Sequence, residues 1–332
     1  MDWAHTRRWF SSAATSKTLF FLLFGQIISL TVALNAFLSS LIANLGLHAP
    51  VSQLTFNYFA VAVVYGTILL RRYQKLRISW YWYLLLGFVD VEGNYLVNKS
   101  YQYTSLTSVS LLGSWIIPWV IVLRWLGLGI RYTLLQLFGA AVCVLGLGLV
   151  LLSDSGGGGD GGPKPLVGDA LVIVGMAFYG LSAVGEELCV KVKDSVETLA
   201  MLGSFGCLVS LIQLSVVELP TLKEARWTSE LIYTLIGYTV GTFVFYSLTP
   251  IYLKAAGAVS FNLSLLTCGM WTVIFRVYFY GQKVDWLYFL AFAMVAVGLI
   301  IYFSTEKVVH SDPVNSESNL DYEAIHSEDI TI

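Results

Sequence analysis

The stretch FVDVEGNYLVNKSYQY, Phe88 to Tyr103, follows the apolar run Trp80–Leu86 without a break. A helix leaving the membrane surface near Ser79 and rising about 1.5 Å per residue puts Asp90, Glu92 and Asn94 about 16 to 22 Å in, around the bilayer centre. A carboxylate at that depth costs roughly 2.5 to 3.5 kcal/mol even on the most lenient scale, so it must face protein or water. Asp90, Asn94 and Asn98 recur every four residues and share one stripe. Glu92 and Lys99 share another, about half a turn away. Polar on two sides, this helix belongs inside a bundle, with one stripe lining a cavity and the other locked to neighbours. Hydrogen bonding between helices, with no cavity, is the competing reading of the same residues.

The membrane setting follows from composition. Of 332 residues, 57% are hydrophobic and 12% charged, and mean hydropathy is +0.72. Such a chain must turn apolar surface to lipid, in segments of about 20 residues that cross as helices. Ten such segments can be read: Thr18–Ala43, Val51–Leu70, Trp80–Tyr103, Ser105–Leu126, Tyr132–Leu152, Gly168–Cys189, Val196–Val217, Leu231–Leu253, Gly257–Tyr280 and Asp285–Phe303. The N-terminal run is too long for a signal-peptide core and reads as an uncleaved first span.

Lys and Arg divide unevenly between the loops. With Lys99 left aside, thirteen fall on the side of the N-terminus and five on the other. That bias places both termini in the cytosol.

The segment SDSGGGGDGGPKPLV, residues 153–167, lacks the Gly-Lys-Ser/Thr ending of a phosphate loop and reads as a tether. It separates residues 18–152 from residues 168–304, five spans each, between a cytosolic N-terminus (1–17) and an acidic, serine-rich, disordered tail (305–332). A faint echo links the halves: Ser110-Leu111-Leu112 with Ser264-Leu265-Leu266, then Gly146 with Gly298. An odd number of spans per half makes equivalent helices cross in opposite directions. The expected fold is therefore an all-α membrane protein of ten transmembrane helices in two inverted five-helix repeats, with a substrate site between them.

Other polar residues extend the candidate site. The sixth span carries Tyr179 and ends in Glu186 and Glu187, which lie near the cytosolic surface, with Glu187 and Lys191 spaced for an ion pair. Asn262, Ser264 and Thr267 open the ninth span, where a helix N-terminus offers N–H groups to a ligand. Tyr101 is placed on the cavity wall, and Gln26, Asn35, Gln53 and Asn57 are weaker candidates. Gly237 and Gly241 suggest close helix packing. Tyr322-Glu-Ala-Ile325 has the form of a sorting signal.

Several function classes are disfavoured. A net charge of −2 gives nucleic acid no electrostatic support. The four cysteines lack metal-ligand spacing, and His5, His48, His310 and His326 all fall in loops or tails. No Gly-x-Ser-x-Gly elbow occurs. No cofactor and no enzymatic activity are expected.

DVEGNYLVNKSYQYTSLTSVSLL (Asp90–Leu112), LVGDALVIVGMAFYGLSAVGEEL (Leu166–Leu188) and SFNLSLL (Ser260–Leu266) closely resemble segments of solute carrier family 35, subfamily F, in the drug/metabolite transporter superfamily. The resemblance runs from about Thr18 to Thr305. It implies that superfamily's ten-span inverted repeat, cytosolic termini and a central substrate cavity. Departures exist: Gly113-Ser114 stands where relatives carry Asp-Cys, Gly269 at or beside a common Asp, and Ala183 and Gly185 where Asn and an aromatic are frequent. GAVSFNLS also lacks the lysine of the nucleotide-sugar pattern. The resemblance implies a transporter of a small polar organic metabolite, nucleoside-, nucleobase- or vitamin-like, working by alternating access. A nucleotide-sugar antiporter and a non-transporting scaffold or receptor are the alternatives. The expected partners are the solute, the lipid bilayer and a second copy of the chain in a homodimer, in an endomembrane or the plasma membrane.

Overall fold

The computed structural model describes residues 13–47, 49–72, 79–100, 103, 109, 112–155, 165–192, 194–280 and 286–309. Residues 1–12, the centre of the Gly-rich tether (156–164), Tyr101 and the tail from 310 onward, including the Tyr322 motif, lie outside the described residues.

Among the described residues there are helices and no strands. In chain order they are α1 (Ala13–Asn44), α2 (Pro50–Arg72), α3 (Trp80–Ser100), α4 (Ile116–Leu128), α5 (Leu134–Ser155), α6 (Pro165–Val192), α7 (Ser195–Val217), the short α8 (Leu219–Glu224), α9 (Ser229–Leu265), α10 (Cys268–Tyr280) and α11 (Trp286–Val309). Five stretches, in α1, α2, α6, α7 and α9, are long and apolar enough to cross a membrane. The interruption of α3 by Asp90, Glu92 and Lys99 keeps it out of that set. Large apolar side chains such as Phe20, Phe59, Leu126, Leu166, Ile212 and Tyr233 stand exposed on the helices. In water that surface would drive aggregation; in a bilayer it is the lipid contact.

The most extensive packing joins α5 to α11, α2 to α7, α1 to α9, and α3 to both α6 and α7, while α9 also meets α2, α4 and α6. The two largest buried clusters flank this crossing. One gathers Ile117 and Val120 of α4 with Tyr252, Val259 and Phe261 of α9; the other gathers Tyr58, Tyr83, Leu86, Leu199 and Tyr246. The expected pairing of Gly237 and Gly241 with a neighbour is seen at Gly241, where a Cβ would collide with Asn35 of α1; Gly237 lies beside Leu38.

Several boundaries differ from expectation. The eighth and ninth spans meet at Gly257 with almost no loop: α9 is two helices joined there, the glycine's φ of 79° is one that L side chains rarely adopt, and the turn is sharp enough for Tyr252 and Ser264 on either side of it to share a 3.0 Å hydrogen bond. The ninth span breaks at Leu266–Thr267, and the fourth breaks at Ser114–Trp115. Both breaks carry i→i+3 bonds, Trp115 N–H to Leu112 O at 3.0 Å and Thr267 N–H to Ser264 O at 3.1 Å. The helices of the tether's flanks reach further than expected, to Ser155 and from Pro165.

Glu218, at the end of α7, caps α2 by accepting from the Val51 and Ser52 N–H groups, both at 2.8 Å. Burial pushes its carboxyl up from the usual value, and these two N–H groups pull partly the other way.

Candidate functional site

Four helices converge on Asp90. Its Oδ2 accepts from the Tyr58 hydroxyl of α2 and from the Tyr246 hydroxyl of α9 at 2.7 Å, and its Oδ1 accepts from the Ser182 hydroxyl of α6 at 2.8 Å. The two tyrosine oxygens are 3.2 Å apart. Asp90 accepts all three bonds, so both of its carboxyl oxygens are engaged. One turn further along α3, Asn94 donates to the Asp90 carbonyl and accepts from the Tyr179 hydroxyl of α6 at 2.7 Å.

This knot forms part of the wall of a cavity of about 400 Å³. Asn35, Asp90, Asn94, Ser182, Glu186, Thr242, Thr249 and Asn262 are its amide, hydroxyl and acidic features, and Tyr179, Tyr238, Phe245, Tyr246 and Phe261 its rings. Among the described residues the lining holds two carboxyl groups and no Lys, Arg or His. Glu186 is 5% exposed and its Oε1 has no hydrogen-bond partner; the Asn35 Oδ1 likewise lacks a donor. A second hollow of about 560 Å³, bordered by α3, α4 and α6, is walled by apolar side chains, Gly127, Gly185, Cys189 and Trp82, with no charged group to orient a solute.

Of the residues expected at the site, Asp90, Asn94, Tyr179, Glu186 and Asn262 line the cavity. The others do not. Glu92 turns toward α7, where Gln213 donates to it at 3.4 Å, because its half-turn offset from Asp90 carries it to the opposite side of α3. Asn98 and Lys99 are half-buried and do not line the cavity. Ser264 is packed against Gly25 of α1 and shares a 3.0 Å hydrogen bond with the Tyr252 hydroxyl. Gln26 accepts from the Trp271 indole, Gln53 from the Ser39 hydroxyl, and of the weaker set only Asn35 reaches the cavity.

The adjacent glutamates part company. Adjacent residues on a helix point about 100° apart, so Glu186 faces the cavity while Glu187, 0% exposed, faces α4 and the α9 kink. Glu187 Oε1 accepts from Arg124 at 2.9 Å and from Lys191 at 2.6 Å. Its Oε2 accepts from the Ala258 N–H at 2.8 Å. Arg124 also donates to the Tyr132 hydroxyl at 2.9 Å. The free N–H expected where the ninth span begins is thus engaged by a carboxylate of the protein itself. The expected pair with Lys191 is present, but Glu187 is buried and is tied as well to Arg124, 63 residues away.

Tyr58, Ser182, Tyr246 and Arg124 were not singled out by sequence reasoning. A tyrosine or serine in an apolar run carries no signal of its partner, and Arg124 reads as one more cationic loop residue. Of the departures from the family pattern, Ala183 and Gly113 line the cavity, and a Cβ on Gly113 would meet nothing closer than the Met176 methyl at 4.0 Å.

The sequence model of solute carrier family 35 matches residues 14–304. Solute carrier family 35 member F2 of Xenopus tropicalis is 36% identical over 313 residues, covering 87% of this chain and 80% of that protein. The Mus musculus member F2 is 34% identical over 301 residues, covering 88% and 80%. A crystal structure at 14% identity superposes with a TM-score of 0.70 over 89% of this chain and 99% of its own, a likeness of fold alone.

Proposed function

Given that the chain belongs to solute carrier family 35, and is therefore an integral membrane transporter of solutes, we propose that it carries a small neutral or cationic organic solute through the central cavity by alternating access. The observation that carries this reading is the lining: two carboxyl groups, an amide oxygen without a donor, five aromatic rings and, among the described residues, no basic side chain. Unmatched acceptors inside a low-dielectric wall favour a solute that brings N–H donors or positive charge. The rings suit a flat nucleobase-, nucleoside- or vitamin-like body. A nucleotide sugar would bring its pyrophosphate against Asp90 and Glu186 with no cation to balance it, so that alternative is disfavoured.

Two inverted five-helix repeats, residues 18–152 and 168–304, supply the moving parts. The breaks at Ser114–Trp115 and Leu266–Thr267 support the repeat, since each interrupts the fourth span of its half. The loop charge bias sets both termini in the cytosol. On that orientation the Glu187–Arg124–Lys191 cluster ties α4, α6 and α9 at the cytosolic end, and opening toward the cytosol has to break it.

The test is uptake by proteoliposomes from a panel of nucleosides, nucleobases, organic cations and nucleotide sugars. Cationic or neutral flat solutes should enter, and Glu186→Gln should abolish or re-order the preference. Uptake of nucleotide sugars in place of these solutes, or uptake of nothing, refutes the reading; the second result favours a scaffold.

A further inference from the structure

The cavity's two carboxyl groups are in opposite situations. Asp90 is engaged by three hydroxyl donors, so its oxygens are occupied in joining α2, α3, α6 and α9. Glu186 lies one turn beyond Ser182 on the same face of α6, equally buried, and its Oε1 is shielded from water without a donor. Among the described residues its surroundings offer no counter-charge. From α3 comes Asp90, with the Tyr58 and Tyr246 hydroxyls of α2 and α9 turned toward that residue. On its own helix is Cys189, with Glu197 of α7 beyond it. The nearby cations, Arg124 of α4 and Lys191 of α6, are engaged with Glu187. A lone carboxylate in that position would cost several kcal/mol, so the group rests neutral, holding its own proton.

We propose that Glu186 is an exchange site: it carries a proton while the cavity is empty and releases it when the positively charged group of a solute arrives, so that one organic cation moves against one proton. The inference rests on the transport reading above. The balance is simple. The O–H bond of the carboxyl breaks, the proton leaves to water on the open side, and the carboxylate keeps the electron pair and forms an ion pair with the cation; nothing is oxidised or reduced. Return requires a proton from the other side before the cavity can face back empty, because the bare carboxylate next to Asp90 is the costly state. Asp90 cannot do this work, since both its oxygens are already taken by the hydroxyls that join four helices.

The experiment is labelling of the purified full-length chain with a hydrophobic carbodiimide, which attacks protonated carboxyls in apolar sites, read by peptide mass spectrometry. Glu186 should be modified, with a rate that falls as pH is raised and the proton is drawn off. Benzamidinium, a flat cation that fits the ring-lined cavity, should slow labelling about tenfold at about ten times its dissociation constant, with tetramethylammonium as a second probe. Glu186→Gln should lose the label, and Glu186→Asp should keep it with a displaced pH profile. A folded protein in which Glu186 stays unlabelled, or labels at a rate indifferent to pH and to both cations, overturns the exchange. The measurement uses no gradient. Uptake without cation-protected labelling therefore removes this site and leaves transport standing, while protected labelling without uptake upholds the site and removes transport.

Discussion

Replacing Asp90 with Ala and, separately, Glu186 with Ala separates two acids that composition cannot tell apart. Asp90→Ala leaves the hydroxyls of Tyr58, Ser182 and Tyr246 without their acceptor. Each buried hydroxyl that loses its partner costs about 1 to 3 kcal/mol, and the two tyrosines can recover part of this by bonding each other across their 3.2 Å gap. The net expectation is a loss of about 3 to 5 kcal/mol. For a chain of this size that is roughly 4 to 7 °C in melting midpoint. Glu186→Ala breaks no hydrogen bond among the described residues and removes a strained buried acid, so its midpoint should stay within about 2 °C of wild type. The assay is thermal unfolding in detergent followed by fluorescence-detected size exclusion, with Asp90→Asn as an intermediate case that keeps one acceptor oxygen. An Asp90→Ala protein that melts with wild type, or a Glu186→Ala protein that melts as low as Asp90→Ala is expected to, refutes the assignment of structural and free roles.

Other outcomes follow from the same geometry. Gly257→Ala should lower the midpoint by an amount equivalent to about 1 to 3 kcal/mol, because φ is 79° and the new Cβ would lie 2.9 Å from Glu187 Oε1 and against the Arg124 guanidinium; thermal unfolding in detergent measures it. Glu218→Ala removes the cap of α2 and should cost about 1 to 2 kcal/mol. Since burial raises the Glu218 carboxyl, the folded chain holds that proton more tightly than the unfolded one, so the side chain's contribution is largest in acid and shrinks as pH rises through its folded titration; melts between about pH 4 and pH 8 should show the mutant's deficit narrowing. Arg124→Ala leaves a fully buried Glu187 with Lys191 and the Ala258 N–H, and should cost about 3 to 5 kcal/mol while raising reactivity of cavity cysteines introduced for cytosolic probes. Gly113→Asp should fold normally, its side chain entering open space, yet slow uptake by filling the cavity, which a melt and an uptake assay together resolve.

The difference between Glu186 and Glu187 shows how far the sequence could be read. Both looked like surface acids at the cytosolic end of one span, and one of them faces the centre of the cavity. Position along the helix made them surface groups; their burial, and the direction each faces, depend on how α6 is turned against α3, α4 and α9. At Asp90 the stripe with Asn94 was legible too, since a period of four needs only the chain itself. That Glu92 belongs to a different contact, with Gln213, was visible only as a second stripe without a destination.

The sequence by itself determined that this is a helical membrane protein with polar groups sunk in its third span and a solute-carrier pattern along its length. Those properties are local sums: hydropathy over about 20 residues, charge counts in loops, spacing on one helix. The tertiary structure alone decided which acid is tied and which is free. The donors that occupy Asp90 come from 32, 92 and 156 residues away, and the Arg124 that holds Glu187 comes from 63. No local period encodes such meetings; they arise when helices choose the rotation that buries the most surface and leaves the fewest polar atoms without partners, and Glu186 is a group for which that choice supplied none.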